Sequence, residues 1–157
     1  MMTAETLPGV RDALPTDLAA MVALGERAGH GGRGPGGELA ESRRARLAAL
    51  VADLGAVVLV ATDEEVVQGY LAAAVGDPSP PHGGVGPVGY VDDLAVGEGY
   101  DWWRVGGALL ARARSRLKEA GAVRMIVTTG GGDPVKQAFL WRSGFTLITE
   151  SYEESLP

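Results

Sequence analysis

Apolar positions along the chain switch between a period near four and a period of two, and the switches divide it into elements. LPGVRDA, residues 7–13, fits a short first strand. In LPTDLAAMVALGERAG, Thr16 or Asp17 can cap a helix that turns Leu18, Met21, Val22 and Leu24 inward. HGGRGPGGE, residues 30–38, is too rich in glycine to hold regular structure and reads as a flexible lid or bridge. A second helix is expected over residues 38–55, with Leu39, Leu47, Leu50 and Leu54 near one stripe and a stop at Gly55.

The period then drops to two. AVVLVATDEEVVQGYLAAAV reads as two β-rich runs joined by an acidic turn at residues 63–65, which predicts an antiparallel hairpin. The loop GDPSPPHGGVGP leads to a strand over residues 88–96. That strand passes through a glycine-containing turn into VGGALLARARSRLKEAG, an amphipathic helix with Gly106, Leu109, Leu110, Ala113, Leu117 and Ala120 on its apolar face. Residues 122–130 form the next buried strand, and β-α-β order requires it to run parallel to the strand before the helix. Asp133 and Pro134 are a favourable helix start, as N-cap and first helical residue. FTLITESYEESL alternates enough to be a last strand.

Composition narrows the function classes. A chain of 157 residues with 46% apolar residues suits a single domain over residues 1–157 with a real core. Net charge is −6 and only Lys118 and Lys136 are lysines, so no nucleic-acid partner is expected, because phosphate binding needs a dense basic surface. The acidic balance suits a cationic small-molecule substrate better. No cysteine is present, which removes thiolate nucleophiles and sulfur ligands and fits a cytoplasmic location. The start lacks the pattern of a secretory signal, and the longest aliphatic run, residues 56–61, is far short of a bilayer span, so no membrane partner is expected. His30 and His82 both fall in loops, and no metal cluster is expected.

Two stretches match G-x-G-x-x-G, at residues 32–37 and 84–89, but neither follows a strand and opens a helix, so both read as loop glycine. The junction VDDLAVGEGYDWWRVGGALL is more informative. Free N–H groups and the positive dipole end make a strand-to-helix turn an anion site. Neighbouring strand residues face opposite sides, so Asp92 and Asp93 are expected on different faces of the sheet. They are either solvated or capping at a strand end, or one of them sits in a cleft as a base toward an amine.

The element order, β-α-α-β-β-β-α-β-α-β from Val10 to Leu156, and the DLAV of residues 93–96 followed by a turn and a helix resemble the GNAT superfamily of N-acetyltransferases. The closing AFLWRSGF, ending in Gly144 and Phe145, resembles that family's last helix. The resemblance implies an α/β fold: a GNAT-like mixed central sheet, splayed at the middle, with helices on both faces. It implies acetyl-CoA as co-substrate, no metal, direct acetyl transfer to a small amine, and a homodimer as a possible assembly. On this pattern Leu94, Ala95 and Val96 offer backbone N–H groups to the reacting oxygen, Asp92 aligns with a base used by some members, and Asp101, Trp102, Trp103, Arg104, Val105, Gly106, Gly107 and Asp133 line the coenzyme.

Several positions depart from the pattern. Asp101 stands where the family has Arg or Gln, and Arg104 where it has the first loop glycine. Asp101 puts a like charge beside a pyrophosphate, and Arg104 can compensate. Trp102 and Trp103 either pack the helix start or wall the acyl channel. The closing-helix tyrosine falls on Leu140, which donates no proton, and the usual asparagine falls on Asp133. These departures keep a second reading open: a GNAT-fold module that has lost catalysis and binds a ligand or a partner protein.

Overall fold

The computed structural model describes residues 7–27, 40–130 and 133–157. The glycine-rich segment of residues 30–38 and Leu39 lie outside them. The described elements are β1 (Gly9–Asp12), a 3-10 turn (Pro15–Asp17), α1 (Leu18–Arg27), α2 (Ala40–Ala52), β2 (Ala56–Asp63), β3 (Val66–Gly76), β4 (Val88–Val96), α3 (Trp102–Glu119), β5 (Arg124–Val127) and α4 (Pro134–Arg142). The sheet has the order β1-β2-β3-β4-β5, antiparallel through β4 and parallel between β4 and β5.

Both faces are covered. On one face Leu59, Leu71, Leu94 and Val96 pack beneath Val105, Leu109, Leu110 and Leu117 of α3 and Phe139 and Leu140 of α4. On the other, Val58, Val60, Tyr70, Ala72 and Ala95 pack beneath Leu18 and Met21 of α1 and Leu47 of α2. Each fully buried aliphatic side chain contributes about 1.5–3 kcal/mol, so the periodic stripes hold the layers together. The hairpin closes in two residues, Glu64 at φ +46° and Glu65 at φ +68°, the left-handed pair that matches strand twist.

Three sequence expectations change at element ends. Leu54 is fully exposed, because α2 stops at Ala52 and the Asp53 side chain takes the Gly55 N–H at 2.8 Å. Ala120 is exposed at the C-cap of α3 and adds nothing to its buried face. Residues 145–157 form no strand: Leu147, Ile148, Tyr152 and Leu156 are exposed, and only Phe145 reaches the core. Alternation stabilises a strand only where a partner edge and a face to bury on exist, and the described sheet ends at β5.

Two irregularities position the site. Ala72 pairs with Asp93 but Ala73 pairs with Val91, so Asp92 is an extra residue bulged out of β4. Pairing between β4 and β5 also stops early, at Val91 with Val127, closed by the Thr128 N–H donating to the Val91 carbonyl at 3.1 Å. From Asp92 to Val96, β4 therefore has no pairing partner on its β5 side among the described residues.

Candidate functional site at the opened β4 edge

Backbone direction along the opened edge follows from one bond. The Gly97 N–H donates to the Gln68 carbonyl of β3 at 2.7 Å. Alternation then commits Ala95 and Asp93 to β3 as well, and turns the N–H and C=O of Leu94 and Val96 toward the opened side. Of the three residues expected to offer N–H groups there, Leu94 and Val96 do so and Ala95 does not.

The bulge also decides the two acids. Strict alternation would drive one carboxylate into the α3 core, and the extra residue prevents this, since Val91 and Leu94 both keep to that core. Asp93 instead enters the α1/α2 side and is only 4% exposed. Its Oδ2 accepts from the Tyr70 hydroxyl at 2.7 Å and from Arg46 Nη2 at 3.1 Å, with Arg43 Nε at 3.8 Å. Burial raises the Tyr70 pKa, and the Asp93 charge raises it further, so the hydroxyl stays a donor. Asp92 is exposed, yet its surroundings raise its carboxyl pKa through desolvation and the neighbouring Asp93 charge, against the pull of Arg46.

Two pockets meet at Asp92 and Thr128. One, of about 130 Å³, is lined by Arg43 and Arg46 of α2, Asp92 and Asp93 of β4, Thr128 and Gly130 beyond β5, and Lys136 of α4. The other, of about 430 Å³, is bounded by the end of β3, Tyr90 and the loop carrying Pro80 and His82. Lys136 is only 1% exposed, and burial lowers its ammonium pKa to about 8 against the raising influence of Asp93 and Asp133. The acidic whole-chain balance does not extend into this site: three cations face two carboxylates in the smaller pocket.

Arg43, Arg46, Tyr70 and Lys136 were not legible as site residues in the sequence. Weak signals exist. Arg43 and Arg46 stand three apart and so share a helix face, and Tyr70 is the one bulky aromatic among the small and aliphatic residues of β3. Nothing in the chain order joins α2 to α4, however. Lys136 meets Arg43 only because the sheet opens between them.

At the start of α3, Asp101 is the N-cap, and its Oδ1 accepts from the Trp103 N–H at 2.9 Å. Trp102 and Trp103 both pack on Phe139 of α4, with ring centroids 5.2 and 5.4 Å away, and Arg142 covers Trp103. Val105 and Gly106 are buried beneath this cluster, and Arg104 is half-buried on the first turn. A Cβ on Gly106 would lie 2.9 Å from the Phe139 ring and from Trp102, so the glycine admits helix packing. A Cβ on Gly107 would meet nothing within 4 Å. Asp133 caps α4 by accepting the Lys136 N–H at 3.0 Å, with Pro134 at the first helical position as expected. Leu140 is a core residue and supplies no proton.

Among the described residues no helix is long and apolar enough to cross a membrane, and no three His, Asp or Glu side chains gather as a metal site. No family model matches the chain, and no curated protein is recognisably similar to it in sequence. Solved structures are similar in fold. The aminoglycoside N-acetyltransferase AAC(6')-Iy in complex with CoA superposes with a TM-score of 0.77 at 14% identity, covering 99% of both chains. The same enzyme with the bisubstrate analogue CoA-S-monomethyl-acetylneamine gives 0.75 at 15% identity, over 97% of this chain and 99% of that one. An acetyltransferase from Trypanosoma brucei gives 0.64 at 21% identity, over 94% and 99% of the two chains. A transcriptional regulator from Bacillus halodurans C-125 gives 0.72 at 21% identity, over 95% and 99%. The mixed sheet opened between β4 and β5, covered by helices on both faces, is the GNAT fold of the N-acetyltransferases.

Proposed function

We propose that the chain is an acetyl-CoA-dependent N-acetyltransferase that moves the acetyl group directly to a small amine. The observation that carries this reading is the opened edge of β4, where Leu94 and Val96 present backbone groups beside the bulged Asp92. Such an edge fits an acyl thioester and its amide-bearing arm, which need extended backbone partners. The start of α3 fits the pyrophosphate less well, because the Asp101 carboxylate already takes the Trp103 N–H. Arg104, one turn in, supplies a compensating cation.

When bound, acetyl-CoA supplies an activated acetyl carbonyl. The N–H groups of Leu94 and Val96 stabilise the negative charge that grows on the carbonyl oxygen as the amine adds and the C–S bond breaks. Asp92 would accept the proton that the amine releases, its raised pKa making it a better base than an ordinary surface carboxylate, and CoA would leave as the thiolate and take its proton from solvent. Asp93 is spent on Tyr70 and Arg46 and positions the strand, leaving Asp92 as the base. The fold likeness to acetyltransferases crystallised with CoA and with an aminoglycoside bisubstrate analogue supports the same reading.

One observation favours a second reading. The Asp101 cap and the packing of Trp102 and Trp103 on Phe139 suit a helix start kept for stability, as in a GNAT-fold module without catalysis. Calorimetric titration with CoA, followed by thiol release from acetyl-CoA with an amine panel, decides between them. Binding plus amine-dependent thiol release is the expected result, and Asp101→Asn should tighten CoA severalfold by removing a like charge while keeping a capping side chain. Failure to bind or consume acetyl-CoA overturns the enzyme reading.

A further inference from the structure

We propose that the acceptor is a monoamine bearing an aromatic ring, with the ring seated on Ala74 and Gly76 of β3 against Tyr90 and His82 and the amine directed to Asp92. The identity of the acceptor rests on the acetyltransferase reading; the ring site can be tested without it. The site is the pocket of about 430 Å³, within the size range of small-molecule sites. Its floor is written in β3. Ala72 lies under α1 and α2, and strand alternation puts Ala74 and Gly76 on that same face. Neither belongs to the core that those helices cover, and both are half-buried. A strand of β-branched or aromatic residues would fill this space with its own side chains, whereas one methyl group and a glycine leave it to a ligand.

The walls are held in place. Ala74 pairs with Tyr90, so the tyrosine stands beside it on the same face, and a Cβ on Gly76 would lie 3.9 Å from the Tyr90 ring. The Tyr90 hydroxyl accepts the Ser79 N–H at 3.1 Å and donates to the Asp77 carbonyl at 3.4 Å. These bonds tie the ring to the loop and occupy its polar end, leaving its apolar face for contact. The His82 ring stands 5.9 Å from the Tyr90 ring at an angle of 43°, and the His82 N–H closes the loop on the Ser79 carbonyl at 2.8 Å. Two tilted rings beside a floor of small residues suit a third ring, offset over one or edge-on to the other.

The polar groups of the lining suit one amine. Asp92 is the one carboxylate among the described residues of this pocket, and it stands where the pocket meets the opened β4 edge. A single carboxylate balances a single ammonium group on arrival, and a polyamine would bring further charges with no partner in the lining. An aminosugar would bring hydroxyl groups that need hydrogen-bond partners, and the Tyr90 hydroxyl and the Ser79 N–H are already paired. Tyr90 and Asp92 are two positions apart on β4, roughly 6–7 Å of strand, which a two-carbon arm between ring and amine spans. An arylalkyl monoamine bound this way would put its ring on the floor of β3 and its amine at the proposed base.

The test compares phenethylamine with propylamine, spermidine and glucosamine, by thiol release from acetyl-CoA and by calorimetry. Phenethylamine should be preferred over propylamine by about tenfold or more in kcat/KM, the scale of burying one ring. Ala74→Leu fills the floor and should remove most of that preference through KM, leaving the use of propylamine unchanged. His82→Ala removes one wall, outside the sheet, and should reduce the preference severalfold; it decides the matter where circular dichroism shows Ala74→Leu to be unfolded. Equal use of phenethylamine and propylamine, a preference for spermidine or glucosamine, or a preference that both variants retain overturns the proposal. If no amine is turned over, the transfer reading fails, and calorimetry still decides the ring site. Phenethylamine binding that exceeds propylamine binding and is weakened by Ala74→Leu or His82→Ala upholds the site, and absence of that difference, or its persistence in both variants, overturns it.

Discussion

The Tyr70 hydroxyl donates to Asp93 Oδ2 across neighbouring strands at 2.7 Å, and this bond lies beneath α1 and α2 with both side chains buried. It is possible because the bulge at Asp92 shifts the register, placing Asp93 opposite Ala72 on the same face as Tyr70. In an unbulged strand of the same sequence, keeping Val91 in the α3 core would turn Asp93 toward that core as well. The bond thus couples the strand irregularity to the polar cluster that forms the pocket.

Tyr70→Phe should cost about 1.5–3 kcal/mol in urea denaturation, since the buried carboxylate loses one donor while Arg46 remains. A loss below about half a kcal/mol would show that Asp93 is satisfied without the hydroxyl.

Gly25 lies in α1 against this bond. An added Cβ would stand 2.6 Å from the Tyr70 hydroxyl oxygen and 2.7 Å from Arg43 Nη1. Helix propensity alone predicts that Gly25→Ala stabilises by about 0.5–1 kcal/mol. Overpacking against buried polar heads should win, giving a net loss of about 1–3 kcal/mol. Combining it with Tyr70→Phe, which removes the obstructing oxygen, should cost less than the sum of the two.

Gly106 and Gly107 are adjacent on α3 and should respond in opposite directions. Gly106→Ala forces Phe139 and Trp102 apart and should lower thermal stability with no ligand present, by about 1–3 kcal/mol. Gly107→Ala has free space and should raise stability by up to about 1 kcal/mol. A Gly106→Ala protein as stable as the parent, yet impaired in CoA binding, would return that glycine to the role of a ligand cradle.

Lys136 gives a pH signature. Its pKa falls from 10.5 to about 8 on folding, so between those values the unfolded chain holds a proton that the folded chain has released. Stability should therefore rise with pH from about 8 to 10.5, and below pH 8 the buried charge carries its full cost, on the order of 3 kcal/mol. Lys136→Met removes this titration. Its stability relative to the parent should be greatest below pH 8 and decline toward pH 10.5, measured by denaturation at fixed ionic strength. A pH-independent difference would show that Lys136 stays protonated throughout.

Helix positions, the hairpin and the parallel crossover were legible because each is written locally. Leu109, Leu110, Ala113 and Leu117 recur at helical spacing, Asp63 to Glu65 interrupt two alternating runs, and Asp133 with Pro134 starts a helix by its own side-chain chemistry. Residues 145–157 misled for the complementary reason. Alternation marks a strand only when a neighbour is in place, and here it marks exposed Leu147, Ile148 and Tyr152. Asp101 was read as a hindrance to phosphate, and the structure adds that it caps α3.

The sequence by itself determined the layers, the strand-to-helix junction and the presence of two acids within an otherwise apolar run. These depend on periodicity and short-range bonding, which act between residues a few positions apart. Only the tertiary structure decided where the acids point, because a one-residue bulge is specified by pairing between strands. It alone brought Arg43 and Arg46 to Lys136, ninety or more positions away, across an opening in the sheet. Electrostatics acts through space, so Arg46 and Asp93, far apart in the chain, can pair at 3.1 Å in the fold.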